Sequence, residues 1–202
     1  MAQFFNWRTS GEGMPADHFG YWSFRWATES ASTFLDSFLE QPQPGWTLQE
    51  AIDDKPFRAL LHLTAFFTVP YWLFALDELK IGKDVMSGMR GGMNAAIGDI
   101  SDEEDGVLSK EHISSLRTAF DVYLKSERTE RMMVLAAGNE AGLQVGKVAA
   151  LFLDDMYRIY GAAEADTPES IEADSALRQN LLASKTSVYE MLFRELELKA
   201  AN

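Results

Sequence analysis

The stretch Ala59–Leu76, ALLHLTAFFTVPYWLFAL, is eighteen residues without a charged side chain in a chain of net charge −13. A membrane-spanning helix needs about 20 mostly apolar residues, so the stretch only reaches the lower limit of that length. It contains His62 and Pro70, and charges of both signs flank it, which gives a weak orientation signal. We therefore predict a buried central helix, kinked at Pro70 and surrounded by other helices, with no stable membrane insertion.

The overall composition is that of a globular protein with one domain. The 31 acidic residues outnumber 18 scattered basic ones, so nucleic acid is not expected as a partner, because phosphate binding needs clustered cations. No cysteine occurs, which excludes disulfides, thiolate metal sites and thiol nucleophiles. The first residues lack an apolar stretch long enough for a secretory signal, and we expect a cytoplasmic protein.

The apolar spacing is helical along almost the whole chain, and we predict no strand. The last helix is predicted over about residues 168–199, after Thr167 and Pro168. The pattern predicts an all-α, single-domain helical bundle of about five to seven helices around the central apolar helix. Residues 16–202 form this domain, and residues 1–15 are expected to be an aromatic arm packed on it.

Aromatic side chains are concentrated near the N-terminus. Phe19, Trp22 and Trp26 form one helical stripe, but Tyr21 and Phe24 would then point elsewhere on the same helix, so two faces need burial. Either the arm folds back over this helix, or a protein partner or a second copy of the chain covers it. The candidate interface residues are Phe4, Phe5, Trp7, Tyr21, Trp22 and Phe24.

The acidic stretch 101–112, SDEEDGVLSKEH, locally resembles an EF-hand calcium loop. The resemblance implies a weak divalent-cation site whose ligands come from Ser101, Glu103, Asp105, Val107 and Glu111. It departs from the loop pattern at the first position, where a serine replaces the aspartate, and at the twelfth, where His112 stands in place of a bidentate glutamate. The alternative is a helix–turn–helix junction, since the stretch also carries helix-capping residues.

Gly138, Gly142 and Gly146 are spaced by four residues and share one face of a predicted helix. Each helical glycine costs about 1 kcal/mol relative to alanine, so a second helix or a flat ligand is expected to approach closely. The stretch GNEAGLQV that begins at Gly138 is loosely similar to the glycine-containing distal helix of haem oxygenases. That resemblance implies a haem-like cofactor, for which His18 occupies the place of the proximal ligand.

The catalytic inventory is small, because the chain has three histidines and lacks HExxH, GxSxG, P-loop and GxGxxG motifs. His62 is a candidate for the lining of a pocket, and the alternative is one hydrogen bond inside the core. We expect a non-enzymatic interaction protein that self-associates or binds a protein partner through its aromatic N-terminal surface. The alternative is a bundle that binds a small molecule or cofactor and could act as an enzyme.

Overall fold

The computed structural model describes residues 3–7, 13–39, 55–78, 81–103, 108–137, 151–153, 155 and 168–200. These residues are predominantly helical, and the predicted all-α bundle is confirmed. The described helices are α1 (Ala16–Leu39), α2 (Lys55–Leu73), α3 (Lys83–Glu103), α4 (Lys110–Ala137) and α5 (Pro168–Glu195). A π-helical turn, Phe74–Glu78, follows α2 directly, and residues 151–153 and 155 are also helical.

Helix α2 is the centre of the bundle and packs against α1, α4 and α5. The stretch Arg58–Leu76 is long and apolar enough to cross a membrane, yet 83% of it is buried inside the protein. That burial is the pattern of the core helix of a soluble protein. Pro70 lies within α2, and the helix changes to π geometry four residues later. The bend at Pro70 remains a prediction.

Large aromatic side chains form the contact between α1 and α2. The ring centroids of Trp26 and Tyr71 are 6.1 Å apart, and those of Phe34 and Phe67 are 5.8 Å apart. Phe67 and Tyr71 are almost completely buried. This contact therefore follows from the aromatic stripe of α1 and the charge-free stretch of α2.

Glycines form the contact between α1 and α3. A Cβ atom at Gly20 would overlap the carbonyl group of Met89, and one at Gly92 would overlap the carbonyl of Asp17. The two backbones therefore touch where Gly20 and Gly92 lie, which no other residue type permits. Gly91, next in sequence, has no atom within 4 Å of the equivalent position.

A small antiparallel sheet is the main departure from the predicted pattern. Strand β1 (Gln3–Trp7) pairs with β2 (Gly13–Met14) on one side and β3 (Leu196–Ala200) on the other. The chain therefore leaves α5 at Glu195 rather than continuing as a helix to about residue 199. Phe5 of β1 is fully buried and stacks on Phe19 of α1, with ring centroids 4.1 Å apart.

Candidate functional site

His62 of α2 lies in a polar cluster inside the bundle, with Tyr123 of α4 and Asp155. Its Nδ1 atom is 3.0 Å from the Tyr123 hydroxyl oxygen and 3.4 Å from Asp155 Oδ2. The Tyr123 hydroxyl donates a 2.6 Å hydrogen bond to the same Asp155 oxygen. Tyr123 is fully buried, and the side chains of His62 and Asp155 are 14% and 22% exposed. Three separate parts of the chain therefore meet at one polar centre.

The hydrogen bonds of this centre favour one tautomer of His62. A phenol has one proton, and Tyr123 gives it to the Asp155 carboxylate. The Tyr123 oxygen can then accept a hydrogen bond, which favours the tautomer of His62 that carries its N–H on Nδ1. A side chain that orients an imidazole, here the Tyr123 hydroxyl backed by the Asp155 carboxylate, is typical of acid–base centres. The same geometry equally satisfies polar groups inside a core, which was the alternative expected for His62.

A buried ion pair lies one helical turn from Tyr123 on α4. Lys185 of α5 donates a 2.6 Å hydrogen bond to Glu127, and both residues are less than 10% exposed. Buried charges of this kind must be paired, because an isolated charge in an apolar interior is strongly unfavourable. The pair therefore links α5 to α4. The sequence does not predict it, because the two residues are 58 positions apart.

A groove of about 470 Å³ lies between the start of α1 and the middle of α3. We call it the aromatic groove; its lining residues are Asp17, His18, Tyr21, Trp22, Gly91, Gly92 and Ala95. Trp22 is 46% exposed and meets Tyr21 edge to face, with ring centroids 5.4 Å apart. The Tyr21 hydroxyl donates a 2.8 Å hydrogen bond to Asp99 of α3. An exposed tryptophan therefore lies in a groove whose other lining residues include two glycines and an alanine.

The structure separates the six predicted interface residues. Phe5 and Phe24 are buried inside the chain, at 0% and 3% exposure, which removes them from the surface in this fold. Tyr21 and Trp22 line the aromatic groove. The side chains of Phe4 and Trp7 lie outside the described residues.

The candidate cofactor ligands are not brought together in the described part of the chain. His18 is exposed in the aromatic groove, whereas His62 contacts Tyr123 and Asp155 in the core. Gly138 and Gly142 lie outside the described residues. The structure therefore gives no joint site for the two histidines.

The candidate cation ligands fall at the junction of α3 and α4. Ser101 and Glu103 end α3, Glu111 is exposed in the first turn of α4, and Asp105 and Val107 lie outside the described residues. Ser109 Oγ accepts a 3.1 Å hydrogen bond from the backbone N–H of His112, which caps α4. In the described residues, no group of three His, Cys, Asp or Glu side chains could hold a metal ion. The capping bond is what the helix-junction alternative predicted.

A second cavity, of about 220 Å³, lies between α3 and α4. We call it the arginine cavity; it is lined by Arg90, Met93, Asn94, Arg117, Phe120 and Asp121. The sequence does not predict this cavity, because the basic residues are scattered along the chain. Arg90 with Asn94 and Arg117 with Asp121 are each four residues apart, so each pair shares one helix face. That spacing is the sequence signal for the cavity, but it does not show that these faces of α3 and α4 lie together.

The chain matches no protein-family model, no curated protein and no solved structure. The geometry of its own residues is therefore the basis for a functional conclusion.

Proposed function

We propose that this protein is a non-enzymatic, cytoplasmic interaction protein that binds a protein partner through the aromatic groove. The observation that supports the proposal is Trp22, which is 46% exposed beside a groove of about 470 Å³. A groove of that volume can enclose a side chain or a short peptide segment, since ligand sites usually measure about 300 to 1,000 Å³. Tryptophan and tyrosine are also the residues that most often dominate binding energy at interfaces.

The charge around the groove favours a cationic partner segment. Asp17 lines the groove, Asp99 holds the Tyr21 hydroxyl, and the whole chain has a net charge of −13. A lysine or arginine side chain of the partner could place its charge over the Trp22 ring and near Asp17. Its aliphatic carbons could then lie against Gly91 and Gly92. A second copy of the chain brings the same negative charge, so self-association is the less favoured form of the proposal.

Fluorescence anisotropy with a labelled oligolysine peptide tests the proposal, with an oligoglutamate peptide as the charge control. We expect Trp22→Ala to weaken oligolysine binding about tenfold, the effect of removing a central aromatic contact. Asp17→Asn should weaken it by a smaller factor. Val122→Ala is the matched control, because Val122 is 45% exposed on another helix and its truncation should leave binding unchanged.

Equal affinities for Trp22→Ala and Val122→Ala would show that oligolysine binds to general negative charge, and the proposed groove function would be rejected. Light scattering on the unmodified protein tests the self-association form. A dimer that dissociates on Trp22→Ala would overturn the cationic-partner assignment, since the groove would then bind a second copy of the chain.

A further inference from the structure

We infer that the arginine cavity binds a small oxyanion of the phosphate or carboxylate class. The inference does not depend on the proposed partner groove, because the two sites are lined by different residues and carry opposite charge.

Uncompensated positive charge is the first argument. Arg90 Nη2 contacts Asp121 at 3.2 Å, so one guanidinium has a carboxylate partner. Arg117 Nη2 instead donates a 2.8 Å hydrogen bond to the Asn94 amide oxygen, and among the described residues this neutral group is its hydrogen-bond partner. The cavity lining therefore carries two positive charges and one negative charge, in a chain of net charge −13. A local excess of positive charge in such a chain attracts an anion.

The fixed position of Arg90 is the second argument. Its guanidinium lies over the ring of Trp72, 5.5 Å from the centroid, while Asp121 holds one of its nitrogens. Trp72 is fully buried and packs edge to face against Phe120, at 5.1 Å between ring centroids. A donor group that is already held in place loses less conformational entropy when a ligand binds.

The size and chemistry of the cavity identify the ligand class. Its volume of about 220 Å³ is below the roughly 300 Å³ at which pockets for organic ligands begin, so a small ion suits it better. A guanidinium presents five N–H donors in a planar fork that matches carboxylate and phosphate oxygens. Each arginine uses one nitrogen for its protein partner in these bonds, which leaves further donors for an oxyanion. The apolar wall of Met93 and Phe120 strengthens the attraction, because it excludes water on one side.

Isothermal titration of the full chain with inorganic phosphate tests the inference, with sodium chloride holding the ionic strength constant. We expect saturable binding of one phosphate per chain. Arg117→Gln should weaken it about tenfold or more, the usual effect of losing a charged hydrogen bond. Asp121→Asn should strengthen it a few-fold, because it removes the negative charge from the lining. Arg194→Gln is the control, since it makes the same charge change at a side chain that is 72% exposed on α5.

A second titration with acetate distinguishes the two oxyanion classes, and saturable binding of either ion that Arg117→Gln weakens supports the site. No saturable heat with either ion at millimolar concentrations would overturn the inference. Equal binding by the Arg117→Gln and Arg194→Gln variants would also overturn it. Circular dichroism checks that each variant is folded, and the opposite effect of Asp121→Asn keeps the test decisive if Arg117→Gln unfolds.

Discussion

Helices α2 and α3 both pack on α1, but they do so by opposite means. Against α2, helix α1 packs with aromatic side chains such as Trp26 and Phe34. Against α3, it uses bare backbone at Gly20, which meets the Met89 carbonyl. The first contact is filled by side-chain volume, and the second depends on the absence of any side chain.

The difference explains why the aromatic groove lies between α1 and α3. Gly91, Gly92 and Ala95 contribute almost no side-chain volume, so the groove that they line together with Tyr21 and Trp22 stays open. Around α2, side chains such as Phe66 and Trp72 occupy the corresponding space. Close backbone contact and an open surface therefore come from the same small residues.

The largest expected effect is on the aromatic contact. Phe67→Ala should lower the free energy of unfolding by about 3 to 5 kcal/mol, because it leaves a cavity beside Phe34 and Phe66. Urea denaturation measures the loss. Val122→Ala on the surface of α4 should change stability by less than about 0.5 kcal/mol, and a similar loss in both variants would show that α1 and α2 are not held by this contact.

The glycine contact should respond to the addition of a single methyl group. Gly92→Ala is expected to cost about 3 kcal/mol in unfolding free energy, because the new Cβ overlaps the Asp17 carbonyl and the helices must separate. Gly91→Ala places its methyl in open space and should stabilise α3 by about 0.5 to 1 kcal/mol. If both substitutions stabilise the protein in urea denaturation, the backbones do not touch as described.

The third expected effect is on the alkaline stability of the α1–α2 contact. Burial raises the pKa of Tyr71 to about 12, and the negative charge of Glu29 on α1 adds to the shift. Since the ordinary pKa of a tyrosine side chain is 10.0, the folded state favours the protonated phenol. Its contribution of about 2 to 3 kcal/mol is present in full below pH 10.0 and is lost as the pH rises toward about 12.

Urea denaturation of the unmodified protein and Tyr71→Phe across that pH interval measures the contribution. The variant should lose less stability than the unmodified protein as the pH rises. Identical pH dependence in the two proteins would mean that Tyr71 titrates normally and that this end of the contact is open to water.

The central helix could be predicted because its signal is local. Ala59–Leu76 has no charged side chain, and the surrounding amphipathic helices indicated that it would be covered rather than exposed to lipid. The strands could not be predicted in the same way. Leu196, Leu198 and Ala200 do alternate with Glu197 and Lys199, but five residues directly after a helix also fit the helical repeat. Only pairing with β1 makes this segment a strand, and that partner is almost the whole chain away.

The candidate sites show the same limit. Helical spacing places Trp22 and Phe24 on one helix but does not show which face other elements cover. The predicted interface residues therefore include Phe24, which is buried. The sequence could not predict the partners of His62 either. Asp155 is 93 residues away in sequence, and the Tyr123 hydroxyl contacts both side chains. The sequence shows which side chains could take part in a site. Which of them lie close together depends on how the helices pack.

The pairing of β1 with β3 has a consequence for the order of events during protein synthesis. Gln3 lies opposite Ala200 and Trp7 opposite Leu196, so the first strand leaves the ribosome long before its partner is translated. Contacts so distant in sequence also carry the largest loop-closure cost in folding. Until residues 196–200 emerge, one edge of β1 stays open to other chains, which is the exposure that promotes aggregation.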